Sequence, residues 1–266
     1  VNQPLGTTNP IETEPAIMFD NVLLTSVAAT ATNDYSVAFL GTNDGHLKKV
    51  VIEGQRHQIN MDQSRVSIKA YEFADIVIQQ GHRINPDMFV AHGYLYVMTT
   101  RRVTMVKVQE CHQHRTCMDC LGARDPYCGW CSLQKSCTLR SDCMDTRTSV
   151  SSRWLSVDSS KCIEFQSIYP EFLPINSLEK VKLIINQLPR LPANVSYQCV
   201  FGPNEPIQAE PMPNGLICQS PPVSLRPRFP EQQDFVSIDL AIRPSDTRTD
   251  FLQRKFIFYD CNFYKT

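Results

Sequence analysis

The feature that most constrains this chain is a crowd of cysteines in its middle. Eight of the eleven lie close together, at Cys111, Cys117, Cys120, Cys128, Cys131, Cys137, Cys143 and Cys162, while the long segments on either side carry almost none. A stretch this short, with few apolar runs, buries too little surface to hold a fold unless it is cross-linked. An even number of closely spaced cysteines that pair off without remainder reads as a disulfide knot from an oxidising compartment. Zinc is the rival reading, because Cys117-x-x-Cys120 and Cys128-x-x-Cys131 have ligand spacing and His112 and His114 stand nearby. Two further pairs would then need a second metal, so no metal site is assigned. Thiol redox catalysis asks a Cys-x-x-Cys to open a helix beside a buried strand, and Pro126 and Gly129 break such a pattern.

The eight-cysteine spacing, with Cys120-Leu121-Gly122-Ala123-Arg124-Asp125-Pro126-Tyr127-Cys128-Gly129-Trp130-Cys131 at its centre, closely resembles the PSI domain of plexins, semaphorins and integrins, and its plexin version most. The residues alone leave roughly a hundred connectivities open. The resemblance implies the pairs Cys111–Cys128, Cys117–Cys162, Cys120–Cys137 and Cys131–Cys143, with Trp130 packed on the disulfide core.

At 266 residues the chain has room for two domains or three small ones. A formal net charge of −1 gives no electrostatic reason to expect nucleic acid or an anionic membrane as partner. No run of about 18 apolar residues is present to span a bilayer. The start, Val1-Asn2-Gln3-Pro4-Leu5, has no basic region followed by an apolar one. A disulfide-rich chain without such a leader reads as a fragment of a secreted or cell-surface protein.

Before the knot the pattern is all strand. After a Pro-containing lead of 21 residues read as loop and edge, strands are expected at residues 23–30, 35–40, 46–52 and 71–78. Thr42-Asn43-Asp44-Gly45 gives a hairpin signal in which Gly takes the positive φ. Three more strands follow, at 88–91, 94–99 and 103–108, with turns at His92-Gly93 and Arg101. A four-strand unit followed by a three-strand unit, roughly 50 residues apart, suggests propeller blades. Val37-Ala38-Phe39-Leu40-Gly41-Thr42-Asn43-Asp44-Gly45-His46-Leu47-Lys48-Lys49-Val50, Asn85-Pro86-Asp87-Met88 and Leu95-Tyr96-Val97-Met98-Thr99 look like the last two blades of a plexin sema domain, a seven-bladed propeller whose last blade often takes its outer strand from the N-terminus. The bland alternative is an independent all-β domain.

Beyond the knot, short strands are expected at 180–186, 195–201, 215–218, 234–242 and 255–259, with no helical pattern, which points to an immunoglobulin-type β-sandwich. In one of them Val236, Ile238, Leu240 and Ile242 alternate with Phe235, Ser237, Asp239 and Ala241, the period of a half-buried strand. Cys199 and Cys218 are read on adjacent strands, and a disulfide between them contributes about 3 kcal/mol in the chain-entropy model. The segment resembles the IPT domain that follows PSI in plexins, although the Gly-rich first strand of many such domains is missing. Asn194-Val195-Ser196 is a glycosylation sequon in a loop after Pro192. Cys261 is left unpaired, and the plexin resemblance implies that it opens a second PSI domain.

The expected class is therefore mainly β: residues 1–110 the C-terminal part of a sema propeller, 111–163 a PSI domain, 164–260 an IPT sandwich and 261–266 the start of another PSI domain. No catalytic constellation stands out. His46, His57, His82, His92, His112 and His114 fall mostly in turns or polar loops without a nucleophile or a carboxylate pair beside them, and Asp44 and Asp87 read as turn residues. An extracellular hydrolase is the contrasting class. No cofactor is expected. By resemblance, the parent is a single-pass plasma-membrane receptor for semaphorins in axon guidance and cell migration, signalling through a cytoplasmic GTPase-activating region, with PSI and IPT as the stalk directing the propeller. A semaphorin-class ligand with an immunoglobulin domain after its PSI domain, and a Met-type growth-factor receptor, are the alternatives. Cys261 argues against both, and Cys199 and Cys218 stand too close in sequence for the usual immunoglobulin bridge.

Overall fold

The computed structural model describes residues 15–53, 68–143, 153–157 and 161–261. The chain divides into two compact units, Val1–Glu110 and Cys111–Thr266.

The first unit holds two antiparallel meanders. β1 (Leu24–Ala31), β2 (Ser36–Thr42), β3 (His46–Glu53) and β4 (Lys69–Val77) pair in sequence order, and so do β5 (Ile84–Ala91), β6 (Tyr94–Thr99) and β7 (Val103–Lys107). The turns have the required chemistry. Gly45 adopts φ +92°, and a Cβ there would lie 1.9 Å from the carbonyl oxygen of Gln79. His92 and Gly93 both take positive φ, which suits the twist of a two-residue hairpin. Val37, Phe39, Leu47 and Val51 of the first meander and Ile84, Leu95 and Val97 of the second are fully or almost fully buried. The other face of the first sheet, at Ala38, Leu40 and Val50, is covered by Ile17 and Phe19 from the segment ahead of β1. Two polar ties join the meanders: the Thr25 hydroxyl donates to the Ile84 carbonyl at 2.8 Å, and the buried Lys49 ammonium donates to the Lys107 and Val108 carbonyls, each at 2.9 Å.

The second unit begins with the cystine-rich part. A helix, α1 (Cys117–Gly122), is followed by β8 (Gly129–Cys131), β9 (Ser136–Thr138) and β10 (Trp154–Leu155), paired in the order β10-β8-β9. Cys117-x-x-Cys120 does open a helix, contrary to the expectation of a broken pattern. Thr116 starts it, its hydroxyl oxygen accepting from the Asp119 N–H at 3.1 Å, and Pro126 and Gly129 lie beyond its end.

Two sheets then pack face to face. One contains β11 (Phe165–Tyr169), β13 (Lys180–Ile185), β17 (Gly215–Gln219) and β16 (Glu210–Met212). The other contains β12 (Phe172–Pro174), β19 (Leu252–Tyr259), β18 (Phe235–Pro244), β14 (Tyr197–Phe201) and β15 (Ile207–Gln208). All pairs are antiparallel except β12 with β19. Leu173, Val181, Leu183, Phe201, Leu216, Leu240, Phe256 and Phe258 form the core. Phe256 meets Phe201 and Phe258 edge-on at 5.7 and 5.4 Å between centroids, the geometry that aligns ring edges with ring faces. The mainly β class holds. β11, β12, β15 and β16 were not expected, being short or interrupted by proline.

Candidate functional site

The structure joins Cys111 to Cys128, Cys117 to Cys162, Cys120 to Cys137, Cys131 to Cys143 and Cys199 to Cys218. Cys261 is free. In the knot, Trp130 and Leu155 are buried with Cys111, Cys120, Cys128 and Cys137. Trp154 was not singled out by sequence, yet it closes the same core from outside. Its ring lies on Gly129, where a Cβ would come within 2.2 Å of it, and its Nε1 donates to the Thr138 carbonyl at 3.1 Å.

The sandwich bridge corrects one expectation. Cys199 lies on β14 and Cys218 on β17, which belong to opposite sheets rather than standing side by side. Between them β15 and β16 carry the chain from one sheet to the other, so a sequence separation of only 19 residues still gives an inter-sheet link.

Knot and sandwich share a joint. Ile163 packs against both cores, and Leu133 of the knot reaches the sandwich core. Arg153 is 8% exposed. Its Nε donates to the Arg190 carbonyl at 2.8 Å, while its own carbonyl accepts from the Ser132 N–H and hydroxyl at 2.7 and 2.9 Å. Asn186 clamps the chain as it leaves the knot, donating to the Cys162 carbonyl at 2.7 Å and accepting from the Glu164 N–H at 3.0 Å. Burial pushes the pKa of the neighbouring Tyr197 up, and its hydroxyl donates to the Pro189 carbonyl.

A second missed residue is Arg226, buried in a Pro-rich loop. Its Nε donates to the Pro221 carbonyl, Nη1 to those of Pro174 and Ile175, and Nη2 to the Ser177 carbonyl and the Ser220 hydroxyl. The guanidinium carbon stands 4.5 Å from the Phe258 ring centroid. All five donors of the fork are thus used inside the protein. Burial lowers the pKa of this group.

In the first unit, His46 has the carboxylate neighbours that sequence did not provide. Its Nδ1 lies 2.9 Å from Asp75, and the Lys48 ammonium reaches Asp75 at 2.7 Å and Glu72 at 3.2 Å. The β3–β4 register brings them together across 24 to 29 residues. Burial works against the Lys48 charge, but the hydrogen bonds it donates to Asp75 and Glu72 outweigh it and raise its pKa. An ammonium held charged is an ion-pair partner, not a nucleophile. Asp44 accepts from the Thr42 hydroxyl within its own turn. Among the described residues, no group of three or more His, Cys, Asp or Glu could hold a metal ion. Among them too, no helix is long and apolar enough to cross a membrane.

The far face of β5–β7 is apolar and open. Phe89, Val103 and Met105 are 62%, 63% and 55% exposed. Phe89 lies 5.7 Å from the ring of Tyr96, and with Met98 of β6 and Val27 of β1 they border a groove. Among the described residues β7 has no strand on its outer edge. Asn194 is exposed, in a turn closed by the Val195 N–H on the Pro192 carbonyl.

Comparison with known proteins finds three family matches along the chain. Residues 2–75 match the Sema domain family, 110–163 the Plexin repeat (PSI) family and 169–259 the TIG domain family in its plexin form. Plexin-A2 of Mus musculus is 32% identical over 98% of the chain, and Plexin-B2 of the same species 29% over 97%. The chain spans 13% of the length of each. Among solved structures, the full extracellular region of plexin A4 superposes on 97% of the chain with a TM-score of 0.69 and 28% identity, the chain covering 24% of that structure.

Proposed function

The chain belongs to the plexin family, as a stretch of its extracellular region, and from that premise we propose that it forms part of a single-pass cell-surface receptor for semaphorins. Residues 1–110 end a sema propeller, 111–163 make a PSI knot, 164–260 the first IPT sandwich, and 261–266 open a second PSI domain. The complete propeller carries the semaphorin contact, and the PSI and IPT domains form the stalk that gives it direction. The parent passes the signal to a cytoplasmic GTPase-activating region, in axon guidance and cell migration. Asn194 carries a glycan on the sandwich. The chain does no chemistry and needs no cofactor.

The observation that carries this reading is the similarity, across 97% of the chain, to the extracellular region of plexin A4. The open face of β5–β7 supports the propeller part, since apolar patches of this kind are seldom left in water and a further blade would cover it. The test is surface binding of one semaphorin to the complete receptor ectodomain and to this chain. Specific interfaces bury roughly 1,200–2,000 Å² around a few central anchors, and on this reading most of that surface lies on the other blades of the propeller, so the ectodomain should bind and the chain alone should bind weakly or not at all. Equal affinity would move the ligand site into these residues, and failure of every semaphorin to bind the ectodomain would refute the receptor reading.

A further inference from the structure

The four cystines of the knot are not equally protected. Cys111, Cys120, Cys128, Cys131, Cys137 and Cys143 are at most 2% exposed, and so are Cys199 and Cys218 of the sandwich. Cys117 and Cys162 are only partly buried. Their bridge also closes the longest loop, 45 residues, whereas the other four bridges span 12 to 19. Its position matters more than its length. Cys117 is the first residue of α1, which Cys120 independently ties to Cys137 on β9. Cys162 is the last residue of the knot, held on its other side by the sandwich through the Asn186 clamp. This partly buried bridge is the covalent fastening between the body of the knot and the strand that leads out of it.

We propose that Cys117–Cys162 is a thiol–disulfide exchange site, opened in the folded protein by an extracellular dithiol reductant, and that opening it releases the joint between knot and sandwich. A thiolate of the reductant attacks one sulfur of the bridge, the S–S bond breaks, and the other sulfur leaves as a thiolate. The second thiol of the reductant then attacks the mixed disulfide. The protein gains two electrons and two protons as two cysteine thiols, and the reductant becomes a disulfide. Exchange requires access of the attacking thiolate to a sulfur, and this is the pair at the surface. The folded knot survives the step, because Trp130 and Leu155 stay buried with the Cys111–Cys128 and Cys120–Cys137 bridges, while Cys117 packs against that core without being one of its buried members. After the step the exit strand is no longer fastened to α1, and the Asn186 clamp and the Ser132–Arg153 bonds lose the covalent tie that steadies them. The Arg153–Arg190 hydrogen bond and the Leu133 and Ile163 contacts then remain to hold the knot in place.

The experiment treats the intact, oxidised chain under native conditions with dithiothreitol and, separately, with thioredoxin. Alkylation at successive times and peptide mass spectrometry locate the thiols released, while hydrogen exchange is followed in parallel. Cys117 and Cys162 should be labelled together, at least ten-fold faster than any other pair. Amide exchange should rise around Glu164, Asn186 and Ser132, with protection at Trp130 unchanged. Release of another pair first, or of all ten paired cysteines at one rate, would overturn the proposal. So would opening of Cys117–Cys162 that leaves exchange at the joint unaltered.

Discussion

The buried guanidinium of Arg226 makes the sharpest test of how the sandwich is held. Its five N–H donors meet four carbonyls and the Ser220 hydroxyl, which pins the loop at residues 221–226 to the end of β12. Replacing it with Met keeps much of the apolar stem and removes the fork. A buried acceptor left without a partner costs about 1–3 kcal/mol. If water reaches all but two of the five, the loss is about 2–6 kcal/mol, to which the Phe258 ring contact adds about 1 kcal/mol. These terms sum to about 3–7 kcal/mol, and the lower part of that span, about 3–5 kcal/mol, is the range for breaking a buried charged network and is the expected destabilisation. For a sandwich of this size each kcal/mol corresponds to about 4–8 °C in Tm, so Arg226→Met should lower the sandwich transition by more than about 10 °C in calorimetry. Arg226→Lys keeps the charge but presents a compact three-donor group that cannot reach all five acceptors, and should recover less than half of the loss. A Met variant within about 1 kcal/mol of the parent, or a Lys variant melting with it, would refute the argument.

Four other outcomes are expected. Gly129→Ala drives a methyl into the Trp154 ring and the Leu155 carbonyl and should cost about 1–3 kcal/mol, with a red shift in tryptophan emission; an unchanged spectrum and melt would count against the close approach. Burial raises the pKa of Asp75, but hydrogen bonds from Lys48 and His46 outweigh it and hold the carboxyl below its ordinary value of 3.8. Its contribution is therefore complete above that value and lost as pH falls through the lower folded pKa, and Asp75→Asn should flatten the acid limb of the first unit's pH–melting curve. Thiol titration of the denatured, unreduced chain should find one thiol, Cys261; two or more would contradict the pairing. In secreted protein, Asn194→Gln should abolish the mobility shift produced by an N-glycosidase, and a persistent shift would place the glycan elsewhere.

Sequence made the strands legible wherever alternation and turn chemistry coincided. The hairpin at Asp44-Gly45 and the period-2 pattern of β18 needed no tertiary information. It failed where the partner was remote or the element short. The contact of His46 with Asp75 spans 29 residues and depends on register. Helix α1 is six residues long and was masked by its own cysteines. β12 is three residues ending in Pro174, and it exists because β19 pairs with it. Arg226 sits among prolines with no neighbouring carboxylate in sequence to announce burial. The Cys199–Cys218 bridge was read within one sheet because closeness along the chain says nothing of the crossover through β15 and β16. The knot itself was legible as a knot, but its pairing came from family likeness and not from spacing.

The single parallel pair of the sandwich has a mechanical consequence. Chain entering the sandwich runs through β11 into β12, and chain leaving it follows β19, with Phe172, Leu173 and Pro174 opposite Ile257, Phe258 and Tyr259. The Ile175 N–H adds a bond to the Tyr259 carbonyl at 2.8 Å. Because these two strands point the same way, tension on the two ends of the sandwich drags them lengthwise past each other. Their hydrogen bonds are then loaded together, instead of parting one after another as in a peeled hairpin. A pull on the two ends of the sandwich therefore meets resistance at the place where the chain enters and leaves, and the inter-sheet cystine behind it limits how far the sandwich can extend once that place yields.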